Sequence, residues 1–116
     1  MTANSLAGII LQSQNPEKLA QFYNRVLDIP FTLQVHGNIK EHYECLFNNI
    51  HFAILKANKH ESSSKVIPSF RVNNLKHFIQ EKNIKLLHPI IDLGDGKACT
   101  SIEDIDGNVI RLIQLQ

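Results

Sequence analysis

The feature that most limits how this chain can fold is that its sequence reads as one run of elements written twice. Residues 6–11 are a short apolar run of the kind that forms a buried strand. Asn15-Pro16-Glu17 then opens a helix. Asn can cap free amides, Pro suits the first helical position, and Glu favours the positive end of the helix dipole. Leu19, Phe22, Tyr23, Val26 and Leu27 follow at the spacing of one apolar helix face, and Pro30 stops the helix. Strand-like stretches come at 31–35, 41–47 and 51–56. Asn48-Asn49 makes a tight turn between the last two, because Asn tolerates positive φ. Residues 58–65 are wholly hydrophilic and read as a linker.

After the linker the order repeats. A strand is expected at 66–72, then Asn73-Asn74 capping a helix whose face carries Leu75, Phe78 and Ile79, with Asn83 as a left-handed stop. Further strands are expected at 85–87, 97–102 and 108–115, the last two joined by a turn at Asp106-Gly107-Asn108. Shifting the first copy by about 55 residues lays Tyr23 on Phe78, Asp28 on Asn83, Ile29 on Ile84 and Phe31 on Leu86. The fold class is therefore α+β: two tandem βαβββ modules, at about 5–57 and 66–116, within a single domain spanning 1–116. At roughly 55 residues neither module closes a sheet alone. Together they are expected to curl a mixed sheet around a cleft, with the helices outside.

Composition removes several functions. The 116 residues carry 12 Lys+Arg against 11 Asp+Glu, a net charge of +1, so the clustered cations of a nucleic-acid binder are missing. No apolar run nears the roughly 18 residues that span a bilayer, so no membrane partner is expected. No basic region precedes the first apolar run, which points to a cytoplasmic location. Cys45 and Cys99 lie in strand-like segments without metal-finger spacing and read as small core residues.

Three motifs then stand out. The first is Asn15-Pro16-Glu17-Lys18-Leu19-Ala20-Gln21-Phe22-Tyr23 followed by Val26-Leu27-Asp28-Ile29-Pro30. The second is Phe70-Arg71-Val72-Asn73-Asn74-Leu75, and the third is Asp104-Ile105-Asp106-Gly107-Asn108-Val109-Ile110. In this order, over essentially the whole chain, they resemble the glyoxalase/bleomycin-resistance/dioxygenase superfamily, also called the vicinal oxygen chelate fold. Asn15 stands where that family has Asp, Asp28 where it has Gly, and Ile105 where it has Pro; all three suit the same turns.

The resemblance implies a homodimer and, in metal-dependent members, His, Gln or Glu ligands on equivalent strands. The corresponding positions here are Gly8, Ile67 and Arg111. Gly and Ile have no donor atom, and a guanidinium is always cationic and cannot ligate. No metal and no other cofactor is expected.

Strand alternation predicts the lining of the cleft. Ile10, Ile67, Val109 and Ile113 form its walls, and Gln12, Ser69, Arg71 and Arg111 are its polar points. Two of the three arginines point inward, which suits an anionic group of a small organic ligand. Alternatively Arg111 pairs with Glu103 across the last hairpin and Arg71 lies at the rim in water. His42 and Glu44 share a strand face, with His51 beginning the next strand, so a relocated metal cluster is one reading and half-solvated rim residues the other. His36, His60, His77 and His88 fall in expected loops or on helix surfaces. Two function classes follow: a metal-free binder of a small molecule, or a lyase or dioxygenase-type enzyme with an atypical metal site. For an enzyme, Glu44, Glu103 and His51 are the candidate general bases, and no catalytic residue is assigned.

Overall fold

A computed structural model of the protein describes residues 7–36, 39–57 and 66–115. The chain divides into two compact units with the boundary between Glu61 and Ser62, inside the stretch read as a linker, which lies outside the described residues. In the first unit β1 (Gly8–Ser13) leads to α1 (Pro16–Leu27), then β2 (Thr32–His36), β3 (Ile39–Phe47) and β4 (Ile50–Lys56). In the second, β5 (Ser69–Arg71) leads to α2 (Leu75–Lys82), β6 (Ile91–Gly94), β7 (Lys97–Glu103) and β8 (Val109–Leu115). Each unit makes its own four-stranded mixed sheet, in the orders β1-β4-β3-β2 and β5-β8-β7-β6. In both, the first strand pairs in parallel with the last and the remaining pairs are antiparallel. The duplicated βαβββ order is thus a duplicated topology.

The helix signals act where the sequence puts them. Asn15 Oδ1 accepts from the Lys18 amide, Pro16 is the first residue of α1, and Asp28 ends it in the left-handed region at φ 56°. In the second unit Asn74 caps from its side chain onto the His77 amide, and Asn83 ends α2 at φ 51°. Asn48 and Asn49 both have positive φ, as a tight β3–β4 hairpin with right-handed strand twist requires. The last hairpin is tied by Asp104, whose carboxylate accepts from the amides of Asp106 and Asn108 and from the Asn108 side chain.

One strand lies elsewhere than the sequence pattern predicts. Residues 85–87 are irregular, and the second strand of the second module is β6 at Ile91–Gly94. The turn that fixes it is Gly94-Asp95-Gly96, all three residues at positive φ, a hairpin signal as plain as the Asn pair. β6 is exposed along its length, so it lacks the buried apolar alternation by which strands are read. The strand expected at 66–72 shortens to the three residues of β5, and the strand expected at 31–35 shifts by one residue to Thr32–His36.

The core of the first unit is aromatic. Tyr23 is fully buried and meets Phe22, Phe31 and Phe52 edge-on with ring centroids 5.6–5.9 Å apart. Leu19, Val26, Ile29 and Ile54 fill around it. In the second unit Leu75 of α2 and Ile102, Ile110 and Leu112 of the sheet are fully buried, and Gln114 Oε1 accepts from the Leu75 amide. Among the described residues no helix is long and apolar enough to cross a membrane.

Candidate functional site

Since Phe52 and Ile54 face α1, alternation sends their neighbours to the other face of the first sheet. The register lines up three rows there: Gly8, His51 and Leu46; Ile10, Ala53, Glu44 and Thr32; and Gln12, Leu55, His42 and Gln34. In the second sheet Ile110 and Leu112 face the helix side. The opposite face carries Ser69 beside Arg111 and Ser101, Arg71 beside Ile113 and Cys99, and Val109 beside Glu103.

The residues expected to line one cleft therefore fall on two sheets. Ser69, Arg71, Val109, Arg111 and Ile113 share the free face of the second. Ile10 and Gln12 lie on the corresponding face of the first, both exposed. Ile67 is exposed and precedes β5 by two residues, so it belongs to no strand.

The two arginines stand diagonally on adjacent strands. Arg71 Nη2 donates to the Leu115 carbonyl at 3.2 Å, and Arg111 is exposed with no ion pair among the described residues. The expected Glu103 partner is displaced by register: Glu103 stands opposite Val109, and Ser101 stands opposite Arg111. Val109 and Ile113 flank Arg111 as half-buried apolar walls.

Of the positions that correspond to metal ligands, Gly8 is closed by packing as well as by chemistry. A Cβ there would lie 2.4 Å from the His51 carbonyl oxygen, so β1 holds no side chain at that point without moving. Ile67 and Arg111 offer no ligand atom. Among the described residues no group of three or more His, Cys, Asp or Glu is placed to hold a metal ion.

The His42, Glu44 and His51 group is a close cluster rather than a set of rim residues. His42 sits on β3, one strand in from the edge, and is 4 % exposed. Its Nε2 lies 3.0 Å from Glu44 Oε2, and His51 Nε2 lies 2.8 Å from the same oxygen. The Glu44 side chain is 18 % exposed and that of His51 is 50 % exposed.

Of the other histidines, His77 Nε2 approaches Glu81 at 3.1 Å on the surface of α2, and His88 Nε2 bonds Ser101 Oγ at 3.0 Å. His60 lies outside the described residues. Cys45 and Cys99 are both free thiols. Burial pushes the Cys45 thiol up, which keeps it protonated and inert. Burial, with help from Glu17 and Glu41, also pushes the Tyr43 phenol up.

No family model and no curated protein matches the sequence. Solved structures do match. A glyoxalase/bleomycin resistance protein/dioxygenase from Nocardioides aligns over 98% of this chain and 85% of its own, with a TM-score of 0.68 and 12% identity. The fold is the glyoxalase/bleomycin resistance/dioxygenase fold. The fosfomycin resistance protein FosX of Listeria monocytogenes aligns over 99% of this chain and 96% of its own, with a TM-score of 0.69 and 12% identity. An integron cassette protein from the mobile metagenome of the Halifax Harbour sewage outfall aligns over 97% and 100%, with a TM-score of 0.66 and 17% identity. The likeness is one of fold, and the sequence motifs that pointed to it sit at the helix ends and hairpins where they hold that fold in shape.

Proposed function

We propose that this protein is a metal-free binder of a small organic anion, and that the ligand is held on the free face of its second sheet. The observation that carries the reading is Arg111: an exposed guanidinium in mid-strand, without an ion pair among the described residues, between two apolar side chains. Arg71 one strand away and the hydroxyl of Ser69 supply further donors on the same face. A planar guanidinium with several donors suits a carboxylate or phosphate, and Val109 and Ile113 suit the apolar part of the same molecule. Gly8, Ile67 and Arg111 at the ligand positions favour this reading over metal-dependent lyase or dioxygenase chemistry. Ile67, two residues before β5, belongs to the same proposal as a further contact. A homodimer and a cytoplasmic location complete it, the former tested by sedimentation.

The test is Arg111→Met with a panel of aromatic and aliphatic carboxylates and phosphates, read by calorimetry. Loss of a charge-assisted contact is expected to weaken the best anionic ligand by about tenfold or more. Unchanged affinity in the variant, or a panel in which only neutral compounds bind, would overturn the assignment.

A further inference from the structure

On the free face of the second sheet Ser101 has a partner that anion binding does not use. We propose that Ser101 is a nucleophile and His88 its general base, and that together they hydrolyse small aryl esters of carboxylic acids. A carbonyl oxygen only accepts, so the 2.8 Å contact of His88 Nδ1 with the Pro89 carbonyl places the ring proton on Nδ1. The lone pair is then on Nε2, and Ser101 Oγ, 3.0 Å away, donates its proton to it. A hydroxyl bonded to an imidazole whose other nitrogen is held by a third group is the arrangement that activates a serine.

The pair is built into the sheet. The Leu87 amide donates to the Ser101 carbonyl at 2.9 Å, and Oγ1 of the fully buried Thr100 donates to the His88 carbonyl at 2.9 Å. Residues 87–89 are thus pinned along the edge of β7 just ahead of β6. Across the other edge, Ser101 stands opposite Arg111 of β8. Opposed residues of an antiparallel pair have Cβ atoms about 5 Å apart, so the Arg111 guanidinium is within reach of an oxygen on a carbon bonded to Ser101 Oγ. The nucleophile has its base on one side and a cation on the other. Ser101 and His88 are both half-buried, open to a small substrate.

The surroundings choose the substrate. The proposal rests on the reading of Arg111 as an anion site, since the guanidinium that holds a product carboxylate also holds the oxyanion that precedes it. The Pro89 carbonyl orients His88 but carries no full charge to stabilise an imidazolium, so the pair suits a leaving group that departs with little help from a proton. A phenol is such a group and an amine is not. In the first step Ser101 Oγ bonds to the ester carbon as its proton moves to His88 Nε2, and the carbonyl π pair moves onto oxygen beside Arg111. That pair returns, the bond to the phenol oxygen breaks, and the phenol leaves with the proton from Nε2. Water then attacks the acyl group on Ser101 and gives a proton to Nε2, and the Ser101 oxygen leaves and takes that proton back. The net change is ester and water to carboxylic acid and phenol, and no oxidant or reductant is consumed.

The experiment mixes the full chain with 4-nitrophenyl acetate, follows nitrophenolate release by stopped flow, and maps the acetyl group by mass spectrometry after an acid quench. A burst followed by slower turnover is expected, with the acetyl group on Ser101. Ser101→Ala should lose the burst. His88→Gln should acylate about a hundredfold more slowly, the low end for a positioned general base, and both variants should keep the wild-type circular dichroism spectrum. No acetyl group on Ser101 in the wild type, or a wild-type burst in Ser101→Ala, would overturn the nucleophile. His88→Gln acylating as fast as wild type would overturn the base. The carboxylate panel is read on the wild type and Arg111→Met with no ester present. A protein that binds carboxylates through Arg111 but is not acylated at Ser101 therefore keeps the anion site and loses the hydrolysis.

Discussion

The two modules share a topology strand for strand, yet they hold themselves together differently. In the first, a 12-residue helix buries Leu19, Ala20, Tyr23 and Val26, and Tyr23 anchors a cluster of four aromatic rings. In the second, an 8-residue helix buries only Leu75, and aliphatic β7 and β8 side chains make the core. The free faces differ as well: a His-Glu-His cluster on one, two arginines between apolar neighbours on the other. A duplicated backbone therefore fixes where side chains can stand, and leaves each copy free to choose its packing and its chemistry.

The largest test of this contrast is in the helices. Tyr23 and Phe78 correspond in the duplication, but Tyr23 is fully buried among aromatic rings whereas Phe78 is only half-buried. Tyr23→Ala should cost about 3–5 kcal/mol, the range for emptying an aromatic site in a core. Phe78→Ala should cost about half as much, since less surface and fewer ring contacts are lost. Urea melts of both variants check the ratio; equal losses would mean that α2 is anchored as firmly as α1.

A smaller effect separates the first strands. Gly8 begins β1 beside His51, and Ser69 begins β5 beside Arg111. A methyl group at Gly8 would lie 2.4 Å from the His51 carbonyl, against backbone that is itself bonded into the sheet. Gly8→Ala is expected to destabilise by about 1–3 kcal/mol through overpacking. Ser69 is exposed and already carries a Cβ, so Ser69→Ala should change stability by no more than about 0.5 kcal/mol. If Gly8→Ala melts with the wild type, β1 can draw away from β4, and the bar to a side chain at that position is chemical only.

Most of the fold was legible because the residues that set it act locally. Asn15, Asn74, Asn83 and the Asn48-Asn49 pair each cap or turn the chain through their own side chain or their tolerance of positive φ, so their effect is visible without knowing what packs nearby. β6 was not legible, because an exposed edge strand carries no burial pattern and its Gly94-Asp95-Gly96 turn was the only local sign. The site was legible in part. Alternation placed Arg71 and Arg111 on one face, but the partner across the hairpin depends on register, and register set Ser101 rather than Glu103 against Arg111. The closeness of His42, Glu44 and His51 was written in the i, i+2 spacing and the hairpin. The burial of His42 was not, since it follows from strand order: β3 lies inside the sheet, where a reading of the hairpin alone would put it at an edge.

The smallest test concerns how the two helices end. Asp28 and Asn83 hold matching positions at φ 56° and 51°, each with its backbone N–H turned back onto the last helical turn. Left-handed backbone strains any residue with a Cβ, and glycine relieves it at some cost in chain entropy. At Asp28 a second penalty adds: its carboxylate sits at the negative end of the α1 dipole, whereas Asn83 is neutral. Asp28→Gly should therefore raise stability by about 0.5–1 kcal/mol, and Asn83→Gly by less than about 0.5 kcal/mol, because Asn is the side chain that best tolerates this conformation. Asp28→Asn separates the two causes, since it removes the charge and keeps the Cβ. If it recovers most of the gain of Asp28→Gly in thermal melts, the dipole is the larger penalty; if it recovers little, backbone strain is. Equal gains at both helix ends would mean that the charge contributes nothing and that, at this one position, the two modules behave as copies.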